Sequence, residues 1–293
     1  MFKEKRRFWF SIIVGLVLLI AAFLLLKEIL NWWPNFKSNR SQVDVYFLDV
    51  GQGDATLFYT DSREVILVDG GPNLSVLYEL GKALPFYERT IDLLILTHPD
   101  SDHINGLVEV VKRYKIKRVL FTGISDDLAA YKIWQEYIRL SGAEIVIAQA
   151  GQRFIYGGLN LAVLYPLEDL SNRTFVDTNE SSLAIKFSFQ TIDFLLTGDL
   201  PIEQELILVN SGNDLSAEVM KTGHHGSKTS THQSFLDAVK PQYVVISAGK
   251  DNNYGHPHYI VLQRLLSRHI NILRTDEMGT IRIVTNGQNI EIK

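Results

Sequence analysis

The 293-residue chain contains no cysteine. This absence excludes disulfide bonds, thiolate metal ligands and cysteine nucleophiles. The chain also lacks internal repeats and low-complexity segments, and its 46% hydrophobic and 21% charged residues are typical of a globular protein. Its length suffices for one large domain or two small ones.

Excess positive charge is also lacking over most of the chain. The formal net charge is −4, but residues 1–30 hold five basic and two acidic side chains, which leaves 24 basic and 31 acidic ones in the remainder. An acidic body does not attract nucleic acid over a broad surface. A polyanionic substrate would therefore have to be held by metal ions and a few local cations.

One long apolar run is present near the start, where residues 8–26 carry no charge. Nineteen residues at helical rise cross a hydrocarbon core of about 30 Å. Four basic residues precede the run, which favours the N-terminus in the cytoplasm and the body outside. The alternatives are a cleaved signal peptide, which the length and the absence of a small-residue cleavage site disfavour, and a buried soluble helix. We therefore predict a single-pass membrane anchor at 1–30, a linker at 31–42 and an extracytoplasmic body at 43–293.

The body shows strand patterns that alternate with helical ones in two similar halves. The predicted strands are 43–48, 55–59, 64–68, 92–96, 117–122, 144–148, 159–164, 182–189, 194–196, 217–221, 243–247, 270–274 and 280–284. The predicted helices are 129–140, 202–208, 233–239, 259–267 and one that begins near Ile104. Such a mixture favours layered αββα packing, although other α/β folds share the pattern.

Four potential metal ligands fall within six residues: His98, Asp100, Asp102 and His103. They lie in a loop between a buried strand and a helix, and such a loop can turn alternate side chains into one pocket. A helix cap or turn explains any single residue. All four together favour a bound cation, because carboxylates and imidazoles this close would otherwise repel one another or shift their pKa values.

The loop resembles the metallo-β-lactamase signature His-x-His-x-Asp-His, with Asp100 in place of the second histidine. Further motifs follow the same order as in the C-terminal hydrolase domain of the ComEC/Rec2 competence proteins, and the resemblance covers nearly all of 43–293. These motifs are Phe47-Leu48-Asp49-Val50-Gly51-Gln52-Gly53-Asp54-Ala55, Leu67-Val68-Asp69-Gly70-Gly71, Leu196-Thr197-Gly198-Asp199, Gly223-His224-His225-Gly226-Ser227 and Tyr254-Gly255-His256-Pro257. The resemblance implies a four-layer αββα sandwich that binds two divalent metal ions.

The resemblance also implies individual roles. Asp69 would buttress the metal loop, and Asp199 would bridge the two metals. His98 and Asp100 would serve the first metal. The second would be held by Asp102, His103 and a late histidine, which is His225 or His224, with His225 favoured.

One departure concerns the first metal. The superfamily usually supplies another histidine some twenty residues before the bridging aspartate, whereas residues 177–182 contain none here. Asn179 or a nearby hydroxyl could replace it. Three imidazole ligands would favour zinc, whereas an oxygen-rich ligand set accommodates manganese better. Either zinc or manganese is therefore expected.

Two such cations would activate a water molecule for attack on phosphorus or a carbonyl carbon. The candidate catalytic residues are Asp102, which could orient the water, with His225, His256 and Lys221. Substrate phosphate could be bound by Lys221, Lys228, Ser227 or His224. For the two lysines the alternative is a solvated surface charge, and for His256 it is a structural hydrogen bond.

The segment Gly51-Gln52-Gly53 lacks the remainder of a P-loop pattern. It is interpreted as a tight turn that points Gln52 or Asp54 toward the mouth of the pocket, with Asp49 fixing the turn.

Three functions are compatible with these features. The first is a phosphodiesterase or nuclease that acts on DNA during uptake, which would need a separate channel protein because one predicted span cannot form a pore. The second is a cell-wall phosphorylcholine esterase, which would need an aromatic cage. The third is a non-catalytic receptor for DNA or another polymer.

Overall fold

Strand β1 (Val43–Phe47) shows how the sequence builds the sheets. Its side chains alternate between buried and half-buried positions, so Val45 packs into one core while Tyr46 packs against another. The computed structural model describes residues 42–293, together with residues 15, 19–25 and 27. Residues 42–293 form a unit with its own cores.

The first sheet has eight strands in the order β15-β14-β1-β2-β3-β4-β5-β6. Strands β3 to β6 run parallel, and the other neighbours pair antiparallel. Beyond β1, its strands are β2 (Thr56–Thr60), β3 (Val65–Val68), β4 (Thr90–Ile95), β5 (Lys115–Phe121), β6 (Glu144–Ile147), β14 (Ile281–Thr285) and β15 (Ile290–Ile292).

The second sheet has seven strands in the order β13-β12-β11-β10-β9-β8-β7. Here β10 to β13 run parallel, and β7 to β10 form an antiparallel meander. The strands are β7 (Arg153–Tyr156), β8 (Leu159–Tyr165), β9 (Ala184–Phe189), β10 (Ile192–Leu196), β11 (Val219–Lys221), β12 (Tyr243–Ile246) and β13 (Asn271–Arg274).

Three apolar cores hold the layers together. The central core lies between the sheets, where Phe58 stacks on Phe187 with ring centroids 4.1 Å apart. The second core packs helices on the outer face of the first sheet, and the third does so on the second sheet. The helices are α1 (Ser75–Ala83), α2 (Ser101–Val111), α3 (Ala129–Ser141), α4 (Ile202–Asn210), α5 (Gln233–Val239), α6 (Tyr259–Leu266) and α7 (Thr275–Met278).

The predicted mixed fold with two packed sheets is confirmed. Each predicted strand and helix has a counterpart, although some begin later, as β9 does at Ala184 and β11 at Val219. The sequence analysis missed α1, α7, β7 and β15. The two missed strands lie at sheet edges and have only four and three residues, so their patterns are too short to recognise.

The predicted membrane anchor lies mostly outside the described residues, and it remains a prediction. Residues 19–25 are helical with exposed side chains. Within the part of the chain that the structure describes, no helix has both the length and the apolar character needed to cross a bilayer.

The parallel strands place the site. The carboxyl ends of β3 and β4 lead into the loops of Asp69 and His98, and those of β10 and β11 lead into the loops of Asp199 and His225. Strand β1 ends at the same edge of its sheet and leads to Asp54. In α/β sheets this edge is where ligands usually bind.

Candidate metal centre

The loops around the site are bound to one another through their backbones. The amide of Asp54 donates to Asp102 O at 3.2 Å, and Gly71 N donates to Asp54 O at 2.8 Å. Gly106 N, in α2, donates to Gly71 O at 2.9 Å. A β-carbon on Gly106 would lie 1.8 Å from Gly70 O, so only glycine permits this approach. The loops that carry the acidic and imidazole side chains are therefore held at close range.

Asp69 supports the loop after β4 from below. Its carboxylate accepts from Thr97 N at 2.8 Å and from Thr97 Oγ1 at 2.7 Å, and His103 Nδ1 lies 2.9 Å from Asp69 Oδ2. An ionised carboxylate only accepts, so His103 carries its proton on Nδ1 and presents Nε2 to the site. Asp69 itself has a φ of +58°, a backbone conformation that non-glycine residues rarely adopt. This geometry matches the buttressing role expected for Asp69.

His98 is oriented by the same threonine. Its Nδ1 lies 3.1 Å from Thr97 Oγ1, whose hydroxyl proton is already donated to Asp69. Nδ1–H of His98 therefore donates to Thr97, and Nε2 points away from it. That Nε2 is buried, has no hydrogen-bond partner, and lies 3.7 Å from Asp100 Oδ2. Asp100 is partly exposed and accepts a hydrogen bond from Thr178.

His225 reaches the cluster from the opposite sheet. Its Nδ1 lies 3.0 Å from Ser247 O, an obligate acceptor, so Nδ1 carries the proton. Its Nε2 lies 3.1 Å from Asp102 Oδ2 and 3.3 Å from Asp199 Oδ2. Nε2 of His103 lies 3.4 Å from the same Asp199 oxygen. Three histidines thus present Nε2 to one region around the Asp199 carboxylate.

His224 is placed differently from its neighbour. The two rings diverge, with centroids 6.0 Å apart, and both residues have left-handed backbone conformations. Nε2 of His224 lies 3.9 Å from Asp199 Oδ2, while its Nδ1 lies 3.3 Å from Thr229 Oγ1. The geometry therefore favours His225 over His224 as the late ligand.

Asp54 and Lys221 lie beneath these histidines. Lys221 is 2% exposed; its ammonium pairs with Asp54 Oδ2, donates to Thr222 O at 2.8 Å and lies 3.9 Å from Asp199 Oδ1. Asp54 Oδ1 lies 3.2 Å from Nδ1 of His225. Either Gln52 or Asp54 was expected to point toward the mouth of the pocket. Of the two, Asp54 is buried at 3% exposure, because the turn folds it under the loop of α2.

Gln52 and His256 lie at the mouth. Gln52 Oε1 accepts from Gly249 N at 3.1 Å, and its Nε2 lies 3.5 Å from His256 Nδ1. Burial, and then the neighbouring imidazole of His225, lowers the pKa of His256 to about 4, which leaves it neutral at neutral pH. Asp49 accepts from Gly51 N at 3.2 Å, as expected for a residue that fixes this turn.

The remaining candidate substrate ligands, Ser227 and Lys228, follow the turn at residues 223–226. Lys228 is exposed, and its amide donates to His258 Nδ1 at 3.2 Å. Ser227 is 4% exposed, and its hydroxyl lies 2.9 Å from Thr229 Oγ1. The Lys228 side chain is therefore open to solvent, whereas the Ser227 hydroxyl is engaged within its own loop.

Asn179 lies in a short 3-10 turn at Thr178–Ser181. Its Oδ1 is buried and has no hydrogen-bond partner. The preceding Thr178 contacts Asp100, so the turn that replaces the expected histidine does reach the ligand loop.

The donor set fits divalent cations. His98, His103 and Asp199 each offer a ligand atom within 4.8 Å of the others, and so do Asp102, His103 and His225. Nε2 of both His98 and His103 is buried without a hydrogen bond, and buried polar atoms are rarely left so unless a ligand satisfies them.

The electrostatics of the cluster also favour positive charge. Burial alone would lower the pKa of His103, but the carboxylates of Asp199 and Asp69 raise it well above its ordinary value. Burial alone would raise the pKa of Asp199, yet His225 and His103 lower it strongly. Both effects arise because groups of opposite charge lie in contact within this buried region.

Two supporting groups were missed by sequence reasoning: the Thr97 side chain and the backbone carbonyl of Ser247. Thr97 directly precedes His98, and this position was its only signal. A threonine after a buried strand is too common to single out, and a backbone carbonyl leaves no trace in a residue pattern.

The chain belongs to the metallo-beta-lactamase superfamily, whose sequence profile matches residues 48–250. The superfamily consists mostly of metal-dependent hydrolases, and its fold typically binds divalent metal ions. The crystal structure of YhfI from Bacillus subtilis, a metallo-beta-lactamase fold protein, superposes with a TM-score of 0.57. It is 11% identical and covers 84% of this chain and 100% of YhfI, so the likeness shows the fold alone.

Among curated proteins the chain is similar to competence proteins. It is 35% identical to ComE operon protein 3 of Bacillus subtilis (strain 168) over 261 residues, which are 83% of this chain and 33% of that protein. It is 33% identical to competence protein ComA of Neisseria gonorrhoeae over 273 residues, which are 92% of this chain and 36% of that protein. The predicted resemblance to the ComEC/Rec2 family is thus confirmed. The chain spans about a third of the length of these relatives.

Proposed function

We propose that this protein is a metal-dependent phosphodiesterase that cleaves DNA outside the membrane during DNA uptake. The observation that carries the proposal is the convergence of three imidazole Nε2 atoms on the Asp199 carboxylate. The competence relatives favour DNA as the substrate.

Two divalent cations are assigned to the cluster. His98, Asp100 and Asp199 would hold the first, together with the amide oxygen of Asn179. Asp102, His103, His225 and Asp199 would hold the second. Bound divalent cations of this kind lower the pKa of water and neutralise charge that develops on the attacked phosphate. Zinc and manganese both suit a set that mixes imidazole and oxygen.

The surrounding side chains orient this set and receive the substrate. Asp69 and Thr97 lock the rings of His103 and His98, so that each presents Nε2. Asp102, at 29% side-chain exposure, is the carboxylate of the second set that a substrate can approach, and it orients the attacking water. His256, neutral at the mouth, donates its ring N–H to phosphate oxygens.

Binding of a polyanion by an acidic protein has to be local. Lys228 is exposed beside the mouth and supplies one cation. His224 lies 5.6 Å from His256 between ring centroids and adds a second polar contact. This arrangement predicts recognition of the phosphate backbone near the metals rather than of a long stretch of DNA.

The membrane context completes the proposal. The apolar run at residues 8–26 would anchor the protein by a single span with the body outside the cytoplasm, and a separate channel protein would carry the imported strand.

The test uses the full chain in detergent. Linear DNA and bis-p-nitrophenyl phosphate are incubated with manganese or zinc, and the parent is compared with Asp102→Ala. Asp127→Ala, which removes an exposed aspartate paired with Lys132, is the matched control. We expect cleavage of both substrates by the parent and control, and loss of cleavage with Asp102→Ala.

Other outcomes would contradict the proposal in distinct ways. Cleavage of the small ester but not of DNA would favour an esterase of other substrates. Equal DNA cleavage by Asp102→Ala would remove the site. DNA binding without bound metal or cleavage would indicate a receptor.

A further inference from the structure

Lys221 is a charged side chain sealed beneath the metal centre. It is the last residue of β11, is 2% exposed, and its ammonium contacts protein oxygens that include Asp54 Oδ2 and Thr222 O. A molecule in the pocket cannot touch this ammonium while the ligand side chains stay in place. This geometry speaks against the substrate-binding role expected for it.

The partner of Lys221 reaches three parts of the site. Asp54 binds the loop of α2 through its amide and Gly71 through its carbonyl. Its carboxylate reaches the imidazole of His225, where Oδ1 lies 3.2 Å from Nδ1. One residue therefore links the ligand loops of both sheets, through its backbone on one side and its carboxylate on the other.

The charge balance explains why a lysine is needed there. Five carboxylates surround the cluster: Asp54, Asp69, Asp100, Asp102 and Asp199. Four of them can be matched by two divalent cations, which leaves one. A buried carboxylate without a partner would take up a proton or turn away. Lys221 supplies the remaining positive charge, because its buried ammonium pairs with Asp54 Oδ2.

We propose that the Lys221–Asp54 pair is a positioning device that keeps the His225 ring aimed at the metals. Lys221 holds the Asp54 carboxylate in place. Ser247 O accepts the hydrogen bond from Nδ1–H of His225, and Asp54 Oδ1, 3.2 Å from the same Nδ1, attracts this N–H electrostatically without a hydrogen bond of its own. Nε2 is then directed at Asp102 and Asp199. The inference rests on the proposed function only in requiring that the cluster binds metal.

For a variant without Lys221, this positioning role predicts the opposite change in metal affinity from simple repulsion between the ammonium and a bound cation. Lys221 lies 3.9 Å from Asp199 Oδ1 and repels any cation that Asp199 binds. If repulsion were its main effect, its removal would tighten metal binding. If Lys221 positions a ligand through Asp54, its removal weakens metal binding, by about 10- to 100-fold as for other groups that orient metal ligands.

The experiment measures zinc and manganese affinity by competition with a chromophoric chelator on the full chain in detergent. The variants are Lys221→Met, Asp54→Asn and the double variant. Lys186→Met is the matched control, because Lys186 is also a buried lysine of the second sheet, 7% exposed and paired with Asp193 and Asp214. Thermal unfolding of the metal-free proteins is recorded in parallel.

We expect Lys221→Met and Asp54→Asn each to weaken metal binding at least tenfold, while Lys186→Met leaves affinity at the parent value even if it lowers the melting temperature. The double variant should bind no more weakly than Asp54→Asn alone, because Lys221 acts through Asp54. Asp54→Asn keeps the side-chain shape and remains informative if Lys221→Met does not fold.

Unchanged or tighter metal binding by Lys221→Met would overturn the inference, and so would full additivity of the two changes. A loss of affinity in Lys186→Met equal to that in Lys221→Met would reduce the effect to general destabilisation and would also overturn it. Failure of the parent to bind metal would instead refute the proposed function. If the parent binds metal and cleaves DNA, and Lys221→Met binds metal with the same affinity as the parent, only the positioning role is refuted.

Discussion

Replacing Gly106 with alanine is the most direct way to disturb the metal centre without touching a ligand. Gly106 lies in α2, three residues after His103, where the helix crosses the loop after β3. The added methyl group would lie 1.8 Å from Gly70 O and 2.8 Å from Asn73 O. Both obstacles are backbone, so no side-chain rotation can relieve the clash.

The required movement follows from these distances. A carbon normally stays at least about 3.3 Å from a carbonyl oxygen, so helix and loop must separate by roughly 1.5 Å. Overpacking of this kind typically costs about 1–3 kcal/mol of unfolding free energy. Since α2 carries Asp102 and His103, a shift of this size would misplace both, and about 1 Å of misplacement can cost roughly 100-fold in rate.

The assay compares chemical unfolding and DNA cleavage by Gly106→Ala with those of Gly81→Ala. Gly81 also lies inside a helix, α1, but its added methyl group would meet nothing within 4 Å. We expect Gly81→Ala to stabilise the protein by about 0.5–1 kcal/mol and to leave cleavage intact. Parent-like stability and cleavage in Gly106→Ala would refute the argument that backbone contact between these loops sets the geometry.

Two further predictions concern groups around the site. Asp69→Asn removes the carboxylate that accepts from His103 Nδ1–H. We expect metal affinity to fall by about 10- to 100-fold in a competition titration. An unchanged affinity would show that Thr97 alone suffices to orient the metal ligands. Burial raises the pKa of Glu205 from 4.5 to about 7, although Thr231 N and His232 N donate to it. Folding therefore favours the protonated carboxyl, and this contribution is complete below pH 4.5 and lost as the pH rises through 7. The unfolding free energy of the parent should fall relative to Glu205→Gln between pH 5 and 8, by at most about 3 kcal/mol, and parallel pH profiles would contradict this.

Much of the fold was predictable because buried positions recur along the sequence as apolar residues at the spacing of a strand or a helix. The apolar run that became β4 and the helical spacing after Ile104 both survive as observed. Helix α1 was missed because it begins just after the break at residues 70–73 and contains Gly81, and both features indicate irregular structure in a sequence. Local pattern therefore identifies elements more readily where no such features interrupt it.

The site was predictable as a set of residues but not as an arrangement. The clustering of His98 to His103 in one loop indicated a cation, and the order of motifs indicated Asp199 and His225. The burial of Lys221 was not foreseeable, because a lysine in sequence is normally a surface charge. Its partner lies 167 positions away in the chain, and only the packing of the two sheets brings Asp54 to it.

The backbone bonds that join Asp54, Asp102, Gly71 and Gly106 involve no ligand atom. These bonds therefore join the loops without any bond to an ion. We expect a protein built in this way to exchange divalent ions without refolding, so that supply in its surroundings, rather than selection during folding, would decide which ion it carries.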